Sequence, residues 1–329
     1  MSSRKALVTG AGGFVGANLV RRLLSDGHTV VATCRPGGTS WRLEEIERNV
    51  ELLELDVCDG ADVRRAIAAT RPDWIFHLAA YGADSRETDR ERILATNLLG
   101  TVGLLTAAVD AGFDAFVNAG SSSEYGLKDH APTETELPEP NSDYAAAKVA
   151  ATLYAAHVAR SADAPVVTLR LYSAYGPWED PGRLVPTLAA RGLGGELPPL
   201  VTPTVARDFV YVDDVCDAFV LGAQRGSPGA VYNVGTGIQT TIGEIVEIAR
   251  RELELRAEPR WGSMDERRWD TATWVANAGK IERDLGWRPR VPIAEGFRRT
   301  VTWLRDRPEL WARYGVEPAG APGEPSTAA

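Results

Sequence analysis

An apolar run of strand length, Lys5–Thr9, ends in Gly10-Ala11-Gly12-Gly13-Phe14-Val15-Gly16, and a helical pattern follows to about Asp26. No other feature restricts the fold of this chain so tightly. Gly10 suits a tight turn, Gly13 lets the backbone approach a bound phosphate, and Gly16 permits close helix–strand packing. The unpaired amides of the helix start, with Phe14 and Val15 in its first turn, favour an anion. Gly27 is placed to end the helix.

The same grammar repeats along the first half. Residues 29–33, 50–55, 74–78, 115–119 and 166–171 are further strand-length runs, several continuously apolar, as strands covered on both faces are. Helical patterns at about 14–26, 60–70, 88–111 and 143–162 separate them. That alternation predicts right-handed βαβ units and an α/β fold with a doubly wound parallel sheet. From about Leu171 the chain loosens into Gly- and Pro-rich loops, with strand candidates at 208–212 and 231–234 and helices near 241–253, 278–285 and 293–305. The expected division is a sheet domain of 1–170 plus about 209–234, a smaller discontinuous domain of 171–208 and 235–312, and a flexible tail of 313–329.

Composition narrows the chemistry. With 36 Lys+Arg against 45 Asp+Glu and a net charge of −9, the chain lacks the basic stripe a nucleic-acid binder needs. Cys34, Cys58 and Cys216 form neither a CxxC pair nor a disulfide framework, and read as small buried apolar residues in a reducing compartment. His77 and His157 have no metal-ligand company and read as packing residues, so no metal site is expected. No apolar run is read as approaching the ~20 residues of a membrane span. The expectation is a cytoplasmic protein that acts on a small molecule.

Two further segments follow strands where a dinucleotide would lie. Asp56-Val57 comes after the third strand, where the carboxylate can accept from an adenine amino group or, equally, cap a turn. His77-Leu78-Ala79-Ala80 closes the fourth. Cofactors of the NAD type usually meet an acidic residue at the end of the second strand, and NADP an arginine. Here the sequence is Thr33-Cys34-Arg35-Pro36, without an acid, so Arg35 is a candidate for a 2′-phosphate and NADP(H) is favoured, with NAD(H) the alternative.

Tyr144 and Lys148 lie four residues apart at the start of a helical pattern, on one face. A neighbouring ammonium favours the phenolate and lowers a tyrosine pKa from its ordinary ~10, which proton transfer at neutral pH requires. The fifth strand runs into Ser121-Ser122-Ser123-Glu124-Tyr125-Gly126, at the sheet edge where such folds bind ligands.

Together these motifs resemble the extended short-chain dehydrogenase/reductases, in particular the nucleotide-sugar epimerase, dehydratase and reductase group. The likeness covers about residues 5–305 and also rests on Thr96-Asn97, the segment 169–177, Arg207-Asp-Phe-Val-Tyr-Val-Asp-Asp, Tyr232-Asn-Val-Gly-Thr-Gly237 and Leu285-Gly-Trp287. It implies a Rossmann-type sheet domain that binds the cofactor and a second domain for substrate. Ser121, Tyr144 and Lys148 would form the catalytic triad, and Asn97 and Tyr172 would join the cofactor site. The substrate implied is a nucleoside-diphosphate sugar, with Arg207 and Arg267 (or Arg268) against the diphosphate and Ser122, Ser123 and Ser173 near the sugar. Ser173 stands where the family often has Asn.

Three reactions share the triad. A 4,6-dehydratase needs an acid and a base shortly before the loop Tyr-Gly, where an ungapped match puts Ser122 and Ser123. Glu124 serves only if the loop has lost a residue. A 4-epimerase keeps NAD, whereas a 4-keto reductase consumes NADPH, and Arg35 tilts the reading to the reductase. Members that lost catalysis and act as cofactor-sensing regulators usually lack the Tyr or the Lys, and both stand here. The resemblance also implies a homodimer through a four-helix bundle, with Leu98, Leu99, Val102, Leu104 and Leu105 on one helix and Leu153, Tyr154 and His157 on the other. All of these are equally suited to an internal core.

Overall fold

Leu7, in the middle of the first strand, pairs with Val31 on one side and Ile75 on the other, and the sheet grows outward from that register. The computed structural model describes residues 2–38, 41–84, 86–264 and 271–316. Strands β1 (Lys5–Thr9), β2 (Thr29–Cys34), β3 (Glu51–Glu54), β4 (Trp74–His77), β5 (Ala115–Ser121) and β6 (Val166–Leu171) join the edge strand Val231–Val234 in a seven-stranded sheet. Its order is Val231–Val234, β6, β5, β4, β1, β2, β3, and the pairs are parallel. The order reverses between β1 and β4, the switch point at which such sheets open a ligand crevice.

Alternation along the strands separates two cores. Ala6, Val8, Trp74, Phe76 and Val117 point to one face, with α1 (Phe14–Ser25) and the helix Val212–Arg225. Leu7, Val31, Ile75 and Phe116 point to the other, with α2 (Gly60–Thr70), α4 (Gly100–Ala111) and α5 (Asp143–Ser161). Each fully buried Val, Leu or Phe there contributes about 1.5–3 kcal/mol of transfer free energy. The segment expected as one helix over 88–111 is α3 (Arg90–Leu94), a π-helical turn (Ala95–Leu99) and α4.

One expectation is corrected here. Arg90–Ala111, 22 residues, is long and apolar enough by composition to cross a membrane, and half of its apolar stretch is buried inside the fold. Leu104 and Leu105 are fully buried core, whereas Leu99 and Leu153 stand exposed.

Contacts divide the chain into two units. The first takes the described residues through Ala174 together with Arg207–Gln239 and Thr273–Val291. Residues 171–174, 207–208, 235–239 and 273–291 therefore lie in the sheet unit, outside the boundaries expected from sequence. Backbone bonds explain this: Tyr172 N donates to Val234 O at 3.0 Å and Ser173 N to Asp208 O at 3.0 Å. The second unit comprises described residues of Tyr175–Ala206, Thr240–Ala272 and the chain from Pro292. It contains helices Leu184–Leu193, Ile242–Glu252 and Ile293–Arg305, and an aromatic stack of Trp178, Trp303 and Tyr314 with centroids 5.0 and 5.6 Å apart.

Candidate active site

β5 carries the chain to Ser121, which caps the short 3-10 turn Ser122–Tyr125. Ser121 Oγ accepts from Ser123 N at 3.2 Å and lies 2.8 Å from Ser123 Oγ, while Glu124 Oε1 accepts from Ser121 N at 2.8 Å. This reciprocal capping box turns Glu124 inward. Its Oε2 takes Arg170 Nε at 2.8 Å, and the Arg170 guanidinium lies 4.5 Å over the Tyr125 ring. Glu124 is 0 % exposed and Arg170 3 %. Burial pushes the Glu124 carboxyl up, and Arg170 and the Ser121 amide pull it back.

α5 supplies the other two members of the expected triad. Ser142 caps the helix, accepting from Ala145 N at 3.1 Å, and Tyr144 follows in the first turn. One turn on, Lys148 is buried, with Nζ donating to Ala119 O at 2.8 Å and standing 5.9 Å from the Tyr144 ring centroid. Ala119 is two residues before Ser121, so Ser121, Tyr144 and Lys148 gather at the carboxyl end of β5. Burial lowers the Lys148 ammonium to about 8, against the opposing pull of the Glu124 charge.

The glycine turn has the shape a dinucleotide phosphate requires. Gly10 has φ +67°, and a Cβ on it would lie 2.7 Å from Ala79 N and Leu78 O; a Cβ on Gly16 would lie 2.2 Å from Gly10 O. α1 starts behind Gly13 with no side-chain cap, leaving the first-turn amides of Phe14, Val15 and Gly16 for an anion. Arg35 is exposed just past β2. Asp56 Oδ1 accepts from Cys58 N at 2.9 Å, the turn-capping role, and Val57 packs where a Gly100 Cβ would come within 3.1 Å. Leu78 and Ala79 line the turn, and Ala80 is exposed.

Asn97, expected at the cofactor site, is buried and holds the Tyr81 backbone, Nδ2 donating to Tyr81 O at 2.6 Å and Oδ1 accepting from Tyr81 N at 3.2 Å, so it shapes a loop. Tyr172 is buried, and its hydroxyl has no hydrogen-bond partner among the described residues.

At the substrate end, Ser122 Oγ accepts from Trp274 Nε1 at 3.2 Å, and the Arg207 guanidinium lies 5.7 Å over the Trp274 ring. Ser122, Tyr125, Lys128, Tyr172 and Trp274 line a narrow cleft. Asp208, fully buried, accepts from Thr236 N (2.7 Å), Thr236 Oγ1 (2.6 Å), Gly237 N (2.9 Å) and Ala276 N (2.9 Å), which fixes the loops that carry Arg207 and Trp274. Arg267 and Arg268 lie outside the described residues.

Residues 6–235 match the model of the NAD dependent epimerase/dehydratase family. The chain belongs to that family. It is 34% identical to the UDP-glucose 4-epimerase of Mycolicibacterium smegmatis over 92% of this chain and 99% of that protein. It is 31% identical to the dTDP-glucose 4,6-dehydratase of Streptomyces griseus over 96% and 98%. Among solved structures, the Thermus thermophilus UDP-glucose 4-epimerase complex with NAD superposes with a TM-score of 0.82 at 31% identity, covering 92% of this chain and 99% of that one. The resemblance read from the motifs thus holds, and the chain is an enzyme of this group.

Four features of this family member go beyond the roles that the motifs assign. Arg42 Nη1 donates to Gly12 O at 3.2 Å beside the glycine turn. The Glu124–Arg170 pair had a signal: an arginine inside the apolar strand β6 requires a buried partner. Asp208 stands inside the motif that begins at Arg207, which gives the residue without its role, and Trp274 had no signal, because its partner is distant in sequence.

Proposed function

We propose that the protein is an NAD(P)-dependent oxidoreductase that reduces the 4-keto group of a nucleoside-diphosphate sugar and removes no water. The observation that carries this reading is the commitment of Glu124 to Arg170 and the Ser121 amide, inside the core. Ser122 and Ser123 then occupy the positions of an eliminating acid and base, and neither has a carboxyl group. The Gly10–Gly16 turn would hold a nicotinamide dinucleotide, which would supply the hydride. Tyr144 gives its proton to the sugar oxygen, the Ser121 hydroxyl bonds the same oxygen, and the Lys148 ammonium favours the phenolate left behind. Arg207 offers paired donors to the diphosphate. Arg35, with no acid at the end of β2 and Arg42 beside the turn, favours NADP(H) over the NAD seen in the Thermus relative.

A second reading, 4-epimerase with retained NAD, is favoured by the 34% identity to the Mycolicibacterium enzyme. Incubation with NADPH and an NDP-4-keto sugar separates the two. Stoichiometric NADPH oxidation supports the reductase, and interconversion of UDP-glucose with UDP-galactose without net cofactor change establishes the epimerase. The exposed Leu99 and Leu153 support a homodimer through the α3–α4 and α5 helices, and a monomer by sedimentation contradicts it.

A further inference from the structure

His77 takes no part in the chemistry above, yet it is the centre of a closed chain of buried hydrogen bonds. Thr9 Oγ1 accepts from Leu78 N and Ala79 N, both at 3.2 Å. Leu78 N is shared with Thr9 O at 3.1 Å, and the one Thr9 Oγ1 proton is available to His77 Nδ1, 2.7 Å away. On the other side Thr101 Oγ1 donates to Asn97 O at 2.8 Å, so it accepts from His77 Nε2–H at 3.0 Å. Asn97 then holds the Tyr81 backbone at both N and O. Thr9, His77, Asn97 and Thr101 are each 2 % exposed or less. The Thr101 end fixes the imidazole proton on Nε2, and in a neutral ring Nδ1 then takes the Thr9 proton.

The two ends of the chain are the two halves of the site. At one, Leu78 and Ala79 press against Gly10 of the phosphate turn. At the other, Tyr81 leads to Gly82, where a Cβ would lie 2.7 Å from Ile93 and 3.5 Å from Tyr144 Cδ2, so the backbone there packs against the catalytic ring. The π-helical turn is what brings Asn97 under Tyr81, the kind of local irregularity that recurs at functional sites. We infer that His77, in a single neutral tautomer, is a positioning residue that ties the cofactor turn to the loop beside Tyr144, so that each half is held by the other. Burial, with the Lys148 charge adding to it, lowers the imidazole to about 3, consistent with a ring that never protonates in the working range.

The inference rests on the proposed reading of the site, but its first test does not. In the unmodified protein labelled with 15N-histidine, the His77 ring shows the widely split pair of resonances of a fixed tautomer, Nδ1 bare and Nε2 protonated, unchanged from about pH 5 to about pH 8. The opposite tautomer, averaged resonances or a titration in that interval overturns it, whatever the enzyme reduces. In a second arm, Thr101→Val raises the dissociation constant for the dinucleotide roughly tenfold, although Thr101 stands at the far end of the chain, and Thr101→Ser restores it. A folded Thr101→Val protein that binds the dinucleotide as wild type does contradicts the coupling.

Discussion

The two ends of the site are built by different means. At the cofactor end, geometry comes from what is missing: Gly10 and Gly16 have no Cβ, and the backbone closes to 2.7 Å and 2.2 Å of where one would be. At the substrate end it comes from side chains of distant segments. Trp274 reaches Ser122 across 152 positions, and Asp208 gathers Thr236, Gly237 and Ala276. Steric rules act over a few residues and show in the motif itself, whereas the motifs that hold Ser122, Asp208 and Thr236 do not show that these residues meet one another and Trp274. The first is legible in one chain, and the second becomes visible only when folded.

The seam between the two ends carries the largest expected effect. Tyr144→Phe removes the proton donor and lowers turnover by roughly 10²–10⁴-fold while the dinucleotide dissociation constant, read by fluorescence titration, stays the same. Next comes the cofactor end alone. Gly16→Ala drives a methyl into Gly10 O, costs on the order of 1–3 kcal/mol in denaturant unfolding and weakens the dinucleotide with little change in binding of the nucleotide sugar. At the substrate end, Trp274→Phe forfeits the bond to Ser122, on the order of 1 kcal/mol, and the loss appears in KM for the sugar nucleotide and leaves dinucleotide affinity intact. If Gly16→Ala and Trp274→Phe each disturb both ligands, the separation of the two ends is broken.

The smallest effect is in the pH profile. Burial holds the Lys148 pKa at about 8, below its ordinary value, so the ammonium is present below that pH and lost above it. The group that favours the Tyr144 phenolate disappears as pH rises, and kcat/KM, which reports the free enzyme, declines above about 8. A profile flat to pH 10, about the ordinary value of a free tyrosine, removes Lys148 from that role.

Legibility followed the same division. The strands, α1, the glycine turn and the gathering of Ser121, Tyr144 and Lys148 were readable because period and spacing encode them locally. Residues 88–111 read as one helix in the sequence although a π turn lies within them, since one extra residue in a helical repeat leaves the apolar pattern almost unchanged. The hold of Asn97 on the Tyr81 backbone is not legible, because a buried amide beside a cofactor motif has the same letters whatever it bonds. Glu124 was ambiguous by sequence, one loop position from a catalytic acid. Only its pairing with Arg170, 46 residues on, decides what it does.

That decision is the centre of the account, and the mass of the product tests it directly. With NADPH and an NDP-4-keto sugar, the account predicts a product two hydrogens heavier than the substrate, and with UDP-glucose or dTDP-glucose no product lighter by one water. A 4-keto-6-deoxy product, lighter by that water, contradicts it, because Glu124 or its neighbours would then be performing the elimination that the proposed reading withholds from them.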